Sequence, residues 1–164
     1  MKKLLKNMIL ASFFIFGTLL MAADSYTMDY DGETTCLVRH FKIAKSSEWV
    51  SKIKMTNGKE IFFSSPKSMF EFYHTPGKWF EIGVKKESDI QEILVMDFDT
   101  LKPINAKSAF YVYGTNIISP AGDDLVAFDS YKTADAFAKK HHGKRIFGFR
   151  EVSDALIRLL NGRI

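Results

Sequence analysis

The sequence of 164 residues contains one cysteine, Cys36, and its thiol has the most distinctive chemistry in the chain. A deprotonated thiol is a soft ligand, and soft ligands favour Cu(I) over hard cations. A single cysteine also excludes a disulfide framework within the chain, and an unpaired thiol is a liability in an oxidising compartment. Three interpretations stay open: a ligand for a soft ion, a small buried residue without a function, or a thiol that forms a redox or intermolecular disulfide. The first requires a sulfur atom that is open to solvent.

His40 and Met28 are the candidates for further ligands of an ion bound at Cys36. Imidazole and thioether groups both bind copper, and Met28 lies in a polar segment that can fold back over Cys36. The chain near Thr35 to Ile43 is predicted to be extended. In a strand, four residues separate two side chains by about 13 Å. One ion therefore contacts both Cys36 and His40 only if the chain turns between them.

The other polar candidates have explanations that involve no metal. Three histidines lie near predicted helix ends, where the helix dipole favours a cation: His74, His141 and His142. Four aspartates lack the oxygen-rich loop of a calcium site: Asp97, Asp99, Asp123 and Asp124. The sequence contains no Gly-x-Ser-x-Gly, His-Glu-x-x-His, Cys-x-x-Cys or phosphate-binding glycine loop. We therefore expect no enzymatic activity.

Residues 1–23 have the layout of a secretory signal peptide. A basic start precedes an apolar run from Met8 to Met21, and Ala22 and Ala23 suit cleavage. The run of about 14 residues is shorter than the ~20 needed to span a bilayer, so a retained anchor is the less favoured alternative. No cysteine stands at the cleavage point to carry a lipid. We expect a periplasmic protein that is not integral to the membrane after cleavage.

The remaining chain is predicted to contain a flexible leader and one domain. Residues 24–34 are polar and acidic, and residues 35–164 are long enough to bury a single core. The signal segment holds three of the 23 lysines and arginines, which leaves 20 against 19 aspartates and glutamates. This balance gives no reason to expect binding to nucleic acid or to an anionic membrane.

A six-residue pattern occurs twice and predicts a repeated strand–helix unit. Phe-Ser-Ser-Pro-Lys-Ser at 63–68 returns 65 residues later as Phe-Asp-Ser-Tyr-Lys-Thr at 128–133. Each copy follows an apolar run and opens a stretch of helical periodicity, and Ser65 followed by Pro66 is typical of a helix start. The repeat and the other apolar runs of the sequence together predict six or seven strands and three helices. We expect an α+β fold with helices on one side of a mainly antiparallel sheet.

Two local signals place further elements. Asn57-Gly58 predicts a hairpin between strands near 49–56 and 59–63. Helical periodicity near the C-terminus predicts a final helix with this buried face: Val152, Ala155, Leu156, Leu159 and Leu160.

Several segments between residues 34 and 152 are similar to one known family. They are Pro-Ala-Gly-Asp-Asp-Leu-Val-Ala-Phe-Asp-Ser at 120–130, the hairpin at 57–63, Leu94 to Asp99, Ala109 to Gly114, Ala134, Phe137 and His142-Gly143. The family that they resemble is NosL. The resemblance implies an exported, usually lipid-anchored protein that binds Cu(I) and delivers it to nitrous oxide reductase through a membrane-bound assembly complex. It also implies two repeated ββαβ-type units, in agreement with the repeat found in the sequence.

Two positions differ from the metal-binding pattern of that family. The family motif resembles Cys-x-x-Cys-Gly-Met, whereas residues 36–41 read Cys-Leu-Val-Arg-His-Phe, so only the first cysteine is present. Ala121 stands where the family has a methionine before glycine.

The expected metal site is therefore small. We expect Cys36 as the central Cu(I) ligand, His40 and Met28 as helpers, and a copper enzyme or a membrane-bound assembly complex as the partner. The alternative is a metal-free periplasmic binding module on the same fold. It would hold a protein partner or a small apolar ligand on aromatic side chains near Tyr111, Tyr113 or Trp79.

Overall fold

The computed structural model describes residues 26–163, and the predicted signal peptide at 1–23 lies outside the described residues. Within that range the chain forms seven β-strands and three α-helices. In chain order they are β1 (Ser51–Met55), β2 (Glu60–Phe63), α1 (Pro66–His74), β3 (Ile90–Met96), β4 (Pro103–Asn105), β5 (Phe110–Tyr113), β6 (Leu125–Phe128), α2 (Tyr131–Lys140), β7 (Arg145–Gly148) and α3 (Asp154–Leu160). Short 3₁₀ segments lie at Ile43–Trp49, Pro76–Ile82, Glu87–Asp89 and Phe149–Glu151. No helix in residues 26–163 has both the length and the apolar character needed to cross a membrane.

The strands form two antiparallel sheets with the same connectivity. The first sheet has the order β2-β1-β3-β4, and the second has the order β6-β5-β7. In each sheet a hairpin is followed by a helix, and the next strand pairs with the first strand of the hairpin on its free side. Helix α1 packs on the first sheet and α2 on the second. The predicted α+β fold with two ββαβ-type units is confirmed, and β4 extends the first unit.

The repeated serine starts both predicted helices. Ser65 Oγ accepts a hydrogen bond from the Ser68 N–H at 3.3 Å, and Ser130 Oγ accepts one from the Thr133 N–H at 3.2 Å. Pro66 occupies the first turn of α1, where its missing N–H would have no helical partner in any case. The hexapeptide repeat in the sequence therefore encodes the point at which a buried strand ends and a helix begins.

The predicted hairpin at Asn57-Gly58 joins β1 to β2. Gly58 has a φ of +85°, a left-handed conformation that glycine adopts without a steric penalty. The Asn57 side chain accepts a hydrogen bond from the Lys59 N–H at 3.0 Å. This turn sets the register that places Ile53 opposite Ile61, and both side chains are buried.

Two buried charged residues join the units. The Lys67 N–H at the start of α1 donates to Asp124 Oδ1 at 2.8 Å, just before β6. The Lys67 ammonium donates to the carbonyls of Ala121 at 2.7 Å and Leu160 at 3.3 Å. Burial lowers the pKa of Lys67 and raises the pKa of Asp124. The first helix of one unit is thus tied to the loop before β6 in the other unit and to the end of α3.

The face of α3 differs from the prediction. Ala155 and Leu159 are exposed. The side chains packed against the interior are Leu156, Ile157 and Leu160. Val152 is buried, but it precedes the cap residue Ser153 and lies outside the helix. The prediction is therefore confirmed for Val152, Leu156 and Leu160 and wrong for Ala155 and Leu159. Because the periodicity was counted from Val152, outside the helix, the predicted face is rotated away from Ile157.

The described part of the leader contacts the first sheet. The Lys52 ammonium donates to the carbonyl of Thr27 at 2.8 Å. The Tyr30 ring packs edge-on against Phe62 with 6.0 Å between centroids. These contacts place residues 27–30 beside β1 and β2, and the flexibility of the leader at 24–34 stays a prediction.

Replacing Ser65 or Ser130 with alanine removes one helix cap at a time. We expect each change to lower the free energy of unfolding by about 1 kcal/mol, because an N–H in the first turn loses its acceptor. The loss should be larger for Ser65, which is fully buried. Urea denaturation measures both values. The control is Ser88→Ala, at an exposed serine outside the α-helices; losses no larger than in this control would contradict the capping role.

Candidate functional site

The loop from Cys36 to Phe41 turns back on itself. The Cys36 N–H donates to the carbonyl of Phe41 at 2.8 Å, and the His40 N–H donates to the carbonyl of Cys36 at 2.9 Å. An antiparallel bridge between Thr35 and Lys42 closes the base of the loop. His40 has a φ of +59°, a left-handed conformation that allows the reversal. The prediction of an extended segment here is wrong.

Cys36 is buried in this conformation. Its side chain has 0% exposure and lies in the main apolar cluster, which also contains Ile43 and Ile61. The expectation of a solvent-open thiol is therefore wrong, because the turn directs a small apolar side chain into the core. The sulfur has one polar neighbour, since the Arg39 N–H donates to Cys36 Sγ at 3.3 Å.

The reversal brings two predicted ligands to one surface hollow. Cys36 and His40 both line a hollow of about 380 Å³ whose walls include Lys59, Glu60 and Phe62. Met28 packs against the apolar cluster that contains Cys36, but it is not among the residues that line the hollow. Within residues 26–163, no group of three or more His, Cys, Asp or Glu side chains could hold a metal ion. The donors at the hollow are the Cys36 thiol, the His40 imidazole and the Glu60 carboxylate, and this carboxylate is paired with Lys52 at 3.0 Å.

Ala121 offers no side-chain ligand to a soft cation. Its carbonyl accepts a hydrogen bond from the buried Lys67 ammonium, which also lies 3.9 Å from a Cβ built on Gly122. A positive charge at this position disfavours a second cation.

The Cys36 loop is held closed by the side chain of Arg39. Its guanidinium donates to Glu71 Oε2 at 2.9 Å, to Asn161 Oδ1, and to Ser68 Oγ at 3.4 Å. The residue whose backbone contacts the sulfur is thus bound to α1 and to the C-terminal segment. The loop can open only if these contacts break, or if Glu71, Ser68 and Asn161 move together with Arg39.

Glu71 is the centre of this cluster, which we call the Glu71 clamp: Glu71, Arg39, Asn161 and Arg163. Its side chain is only 6% exposed and also accepts hydrogen bonds from Asn161 Nδ2 at 2.9 Å and Arg163 Nη1 at 2.6 Å. Burial raises the pKa of Glu71, but the Arg163 hydrogen bond and the charges of Arg39, Arg163 and Lys78 together outweigh it. The net pKa lies below the ordinary value. Glu71 is therefore a carboxylate at neutral pH.

Sequence reasoning missed Arg39 and Glu71 as functional residues. The available signal was an acidic residue on the apolar face of a predicted helix, since Glu71 lies between Phe70 and Phe72 and all three are buried. A buried carboxylate requires a partner, but nothing local in the sequence points to Arg39 as that partner.

The other predicted polar residues have structural contacts. His74 Nε2 hydrogen-bonds with the carbonyl of Val152 at 2.9 Å, and His141 packs against Phe137 with 4.3 Å between ring centroids. Asp97 accepts hydrogen bonds from the N–H groups of Asp99 and Asp129 and braces two loops. None of these contacts requires a metal.

The aromatic surface of the metal-free alternative is only partly present. Tyr111 is fully buried and its hydroxyl donates to the carbonyl of Ala106 at 2.7 Å, so it cannot bind an external partner. Tyr113 and Trp79 are partly buried. A different hollow of about 390 Å³ is lined by these aromatic residues among others: Phe98, Phe128, Phe137 and His141.

The NosL family model matches residues 27–157 of this chain. Among solved structures, the crystal structure of the copper chaperone NosL from Shewanella denitrificans is similar, with a TM-score of 0.64 and 22% identity over 80% of this chain and 98% of that chain. The solution NMR structure of apo-NosL from Achromobacter cycloclastes gives a TM-score of 0.40 and 22% identity over 65% of this chain and 87% of that chain. The similarity to the crystal structure shows a shared fold. No curated protein matches the chain significantly.

Replacing Arg39 with alanine should expose the thiol. Hydrogen bonds to charged groups contribute about 1.5–3 kcal/mol each, so losing the guanidinium should raise the population of the open loop by roughly tenfold or more. The rate at which Ellman's reagent modifies Cys36 measures this population. The control is Arg158→Ala, at an exposed arginine of α3 whose ion pair with Asp154 spans 3.8 Å. Equal labelling rates in the two variants would contradict the clamp.

The Glu71 clamp should stabilise the folded protein at neutral pH, and this stabilisation should be lost at acidic pH when Glu71 is protonated. Because the folded-state pKa of Glu71 lies below 4.5, its contribution is present above that pH and is lost as the pH falls through the folded value. We expect Glu71→Gln to lower the free energy of unfolding by about 2 kcal/mol near pH 7, less than for a fully buried pair because Arg163 is half exposed.

The difference between native protein and Glu71→Gln should shrink as the pH falls from neutrality to values below 4.5. Chemical denaturation across this range measures it, with Glu81→Gln as the control at an exposed carboxylate. A difference that does not vary with pH would show that the charge of Glu71 is not responsible.

Proposed function

Because this chain belongs to the NosL family, we propose that it is an exported accessory protein that binds Cu(I) and transfers it to a copper enzyme of the nitrous oxide reductase type. In this role copper is cargo, and the chain catalyses no reaction. Similarity to a copper chaperone structure supports a copper-related role. The observation that carries the proposal is that the turned loop brings Cys36 and His40 to one hollow.

Cys36 would be the central ligand. Its thiol loses a proton when the metal binds, and the resulting thiolate favours Cu(I). A thiolate and Cu(I) cancel each other's charge, which lowers the cost of holding the ion beside an apolar cluster.

Access to the sulfur would depend on the loop. Because Cys36 is fully buried when the loop is closed, an ion reaches it only after residues 36–41 move. Loops that move for function are drawn from the weakly held parts of a fold. Here the restraints are a two-residue bridge, the Arg39 side chain and three backbone hydrogen bonds, of which one runs from the Leu37 N–H to the carbonyl of Phe62 in β2 at 3.0 Å. Uptake and release of copper would thus be coupled to this local opening.

The incomplete ligand set suits transfer to a partner. Cys36 and His40 are the donors of the hollow that suit Cu(I), because the Glu60 carboxylate is a hard ligand and is paired with Lys52. A further soft ligand would come from Met28 or from the receiving protein. A ligand supplied by the partner would allow the ion to pass without being released into solution. The partner would be the copper enzyme itself or a membrane-bound assembly complex.

Export to the periplasm would follow from residues 1–23, which have the composition of a signal peptide. In that compartment a lone cysteine without a role is a liability, and a role in binding a soft ion accounts for it.

A metal-free binding module on the same fold is the second candidate function. The complete burial of Cys36 favours it, as does the aromatic hollow lined by Phe98, Phe128 and Phe137. In this case Cys36 is a core residue, and the hollow would hold a small apolar ligand.

Cu(I) titration against a competing chelator separates the two functions. We expect the native protein to bind one Cu(I), and Cys36→Ala to bind it at least roughly a hundredfold more weakly, a loss at or beyond the upper end of that for an outer-shell change. His40→Asn should weaken binding by a smaller factor. Asparagine is chosen because it tolerates the positive φ of residue 40, so the loop is retained while the imidazole is lost.

The control is Met96→Leu, which changes a buried thioether in β3. This change should leave the affinity for Cu(I) unchanged. The variant Met28→Leu tests separately whether the thioether of Met28 contributes to that affinity. A native protein that binds Cu(I) no more tightly than Cys36→Ala would reject the copper function and leave the metal-free module.

A further inference from the structure

Positive charge is concentrated in one segment of this chain. Residues 130–150 contain six lysines and arginines and one aspartate, whereas residues 24–129 contain twelve basic and sixteen acidic residues. Residues 24–164 contain 20 basic and 19 acidic residues in total, so this nearly balanced part of the chain includes a strongly basic region. The region comprises α2, β7 and the turn between them, and it is far in sequence from Cys36.

The basic side chains are held on a rigid turn. His142 has a φ of +59°, and the Gly143 N–H donates to the carbonyl of Ala138 at 2.8 Å. A Cβ on Gly143 would lie 2.7 Å from Val112 Cγ1, so the turn is pressed against β5 and only glycine fits. The Lys144 N–H then donates to the carbonyl of Tyr113 at 2.8 Å. The display of charge is therefore fixed before any partner binds.

Local acidic groups neutralise only part of this charge. Lys139 pairs with Asp135 at 2.6 Å, and Arg145 lies 3.6 Å from an oxygen of Glu151. Within residues 26–163, Lys140 and Lys144 have no acidic oxygen within 4.0 Å. Asp135 and Glu151 offset two of the four charges of Lys139, Lys140, Lys144 and Arg145, so this surface keeps an excess of two positive charges, which favours an anionic partner.

The shape of the surface indicates what kind of anion fits. A hollow of about 400 Å³ is lined by three cations, Lys139, Lys144 and Arg145, and by one carboxylate, Asp135, which is the ion-pair partner of Lys139. Ala138 and Ile146 form an apolar part of its wall. Tyr131, which is 57% exposed, lies at its edge. A bilayer surface cannot enter a hollow of this size, whereas an extended peptide can place carboxylates on the rim and small apolar groups on the wall.

We propose that this hollow is the docking site for an acidic segment of a partner protein. Its charged lining is Lys139, Lys144, Arg145 and the paired Asp135, and its apolar lining includes Tyr131, Ala138 and Ile146. The site is separate from the Cys36 hollow and shares no lining residue with it. Its existence does not depend on copper binding, so the two proposals can fail independently.

The test is fluorescence anisotropy of the purified protein with fluorescein-labelled hexaglutamate at low salt, with labelled hexalysine as the negative probe. We expect saturable binding of hexaglutamate that weakens as salt rises towards 0.15 M, because the Debye length shortens to about 8 Å. Lys139→Glu with Lys144→Glu should weaken binding by roughly tenfold or more, since two attractive charges become repulsive.

The matched control is Lys85→Glu with Lys86→Glu, which changes the net charge equally at exposed lysines outside the hollow. If the first double variant proves unfolded by circular dichroism, Lys139→Gln with Lys144→Gln replaces it. Equal weakening by the two double variants would overturn the proposal by showing that only net charge matters. Absence of hexaglutamate binding would also overturn it, as would stronger native binding to vesicles containing phosphatidylglycerol than to the peptide.

Discussion

Glu71 carries a negative charge inside the protein, and the geometry around Cys36 depends on how that charge is compensated. An isolated carboxylate with 6% exposure would be strongly destabilising. Compensation comes from the guanidinium groups of Arg39 and Arg163 and the side-chain amide of Asn161. These residues lie in the loop before β1 and after the last helix. A single buried acid therefore fixes α1, the Cys36 loop and the C-terminal segment relative to one another.

The same constraint explains why the thiol is closed off. Arg39 uses its backbone to contact the sulfur and its side chain to reach Glu71, so the loop cannot relax without disturbing a buried ion pair. Breaking such a pair costs far more than breaking an exposed one. If Cys36 binds copper, the loop must open first, and the free energy of that opening depends on the ion pair between Arg39 and Glu71. Proteins that bind a reactive ion benefit from this arrangement, because the thiol is protected from oxidation until the loop opens.

Local sequence signals predicted the fold well and the site poorly. The caps at Ser65 and Ser130 and the turn at Asn57-Gly58 depend on neighbouring residues, so the two repeated units could be inferred without a structure. The closed form of the Cys36 loop depends instead on Glu71, whose contact with Arg39 spans 32 residues. A histidine with positive φ at position 40 has no sequence signature either. The family resemblance predicted the role of Cys36, but it carried no information on burial.

The central claim is that copper binds to the sulfur of Cys36 although this side chain is buried in the closed loop. X-ray absorption at the copper edge of the Cu(I)-loaded protein tests it most directly, because sulfur and nitrogen neighbours give distinct scattering. The comparison is made in a Met28→Leu background, which removes the other candidate sulfur ligand. We predict a sulfur neighbour at bonding distance that disappears when Cys36→Ala is added. A spectrum with only nitrogen or oxygen neighbours, or a sulfur neighbour that persists in Cys36→Ala, would contradict the account.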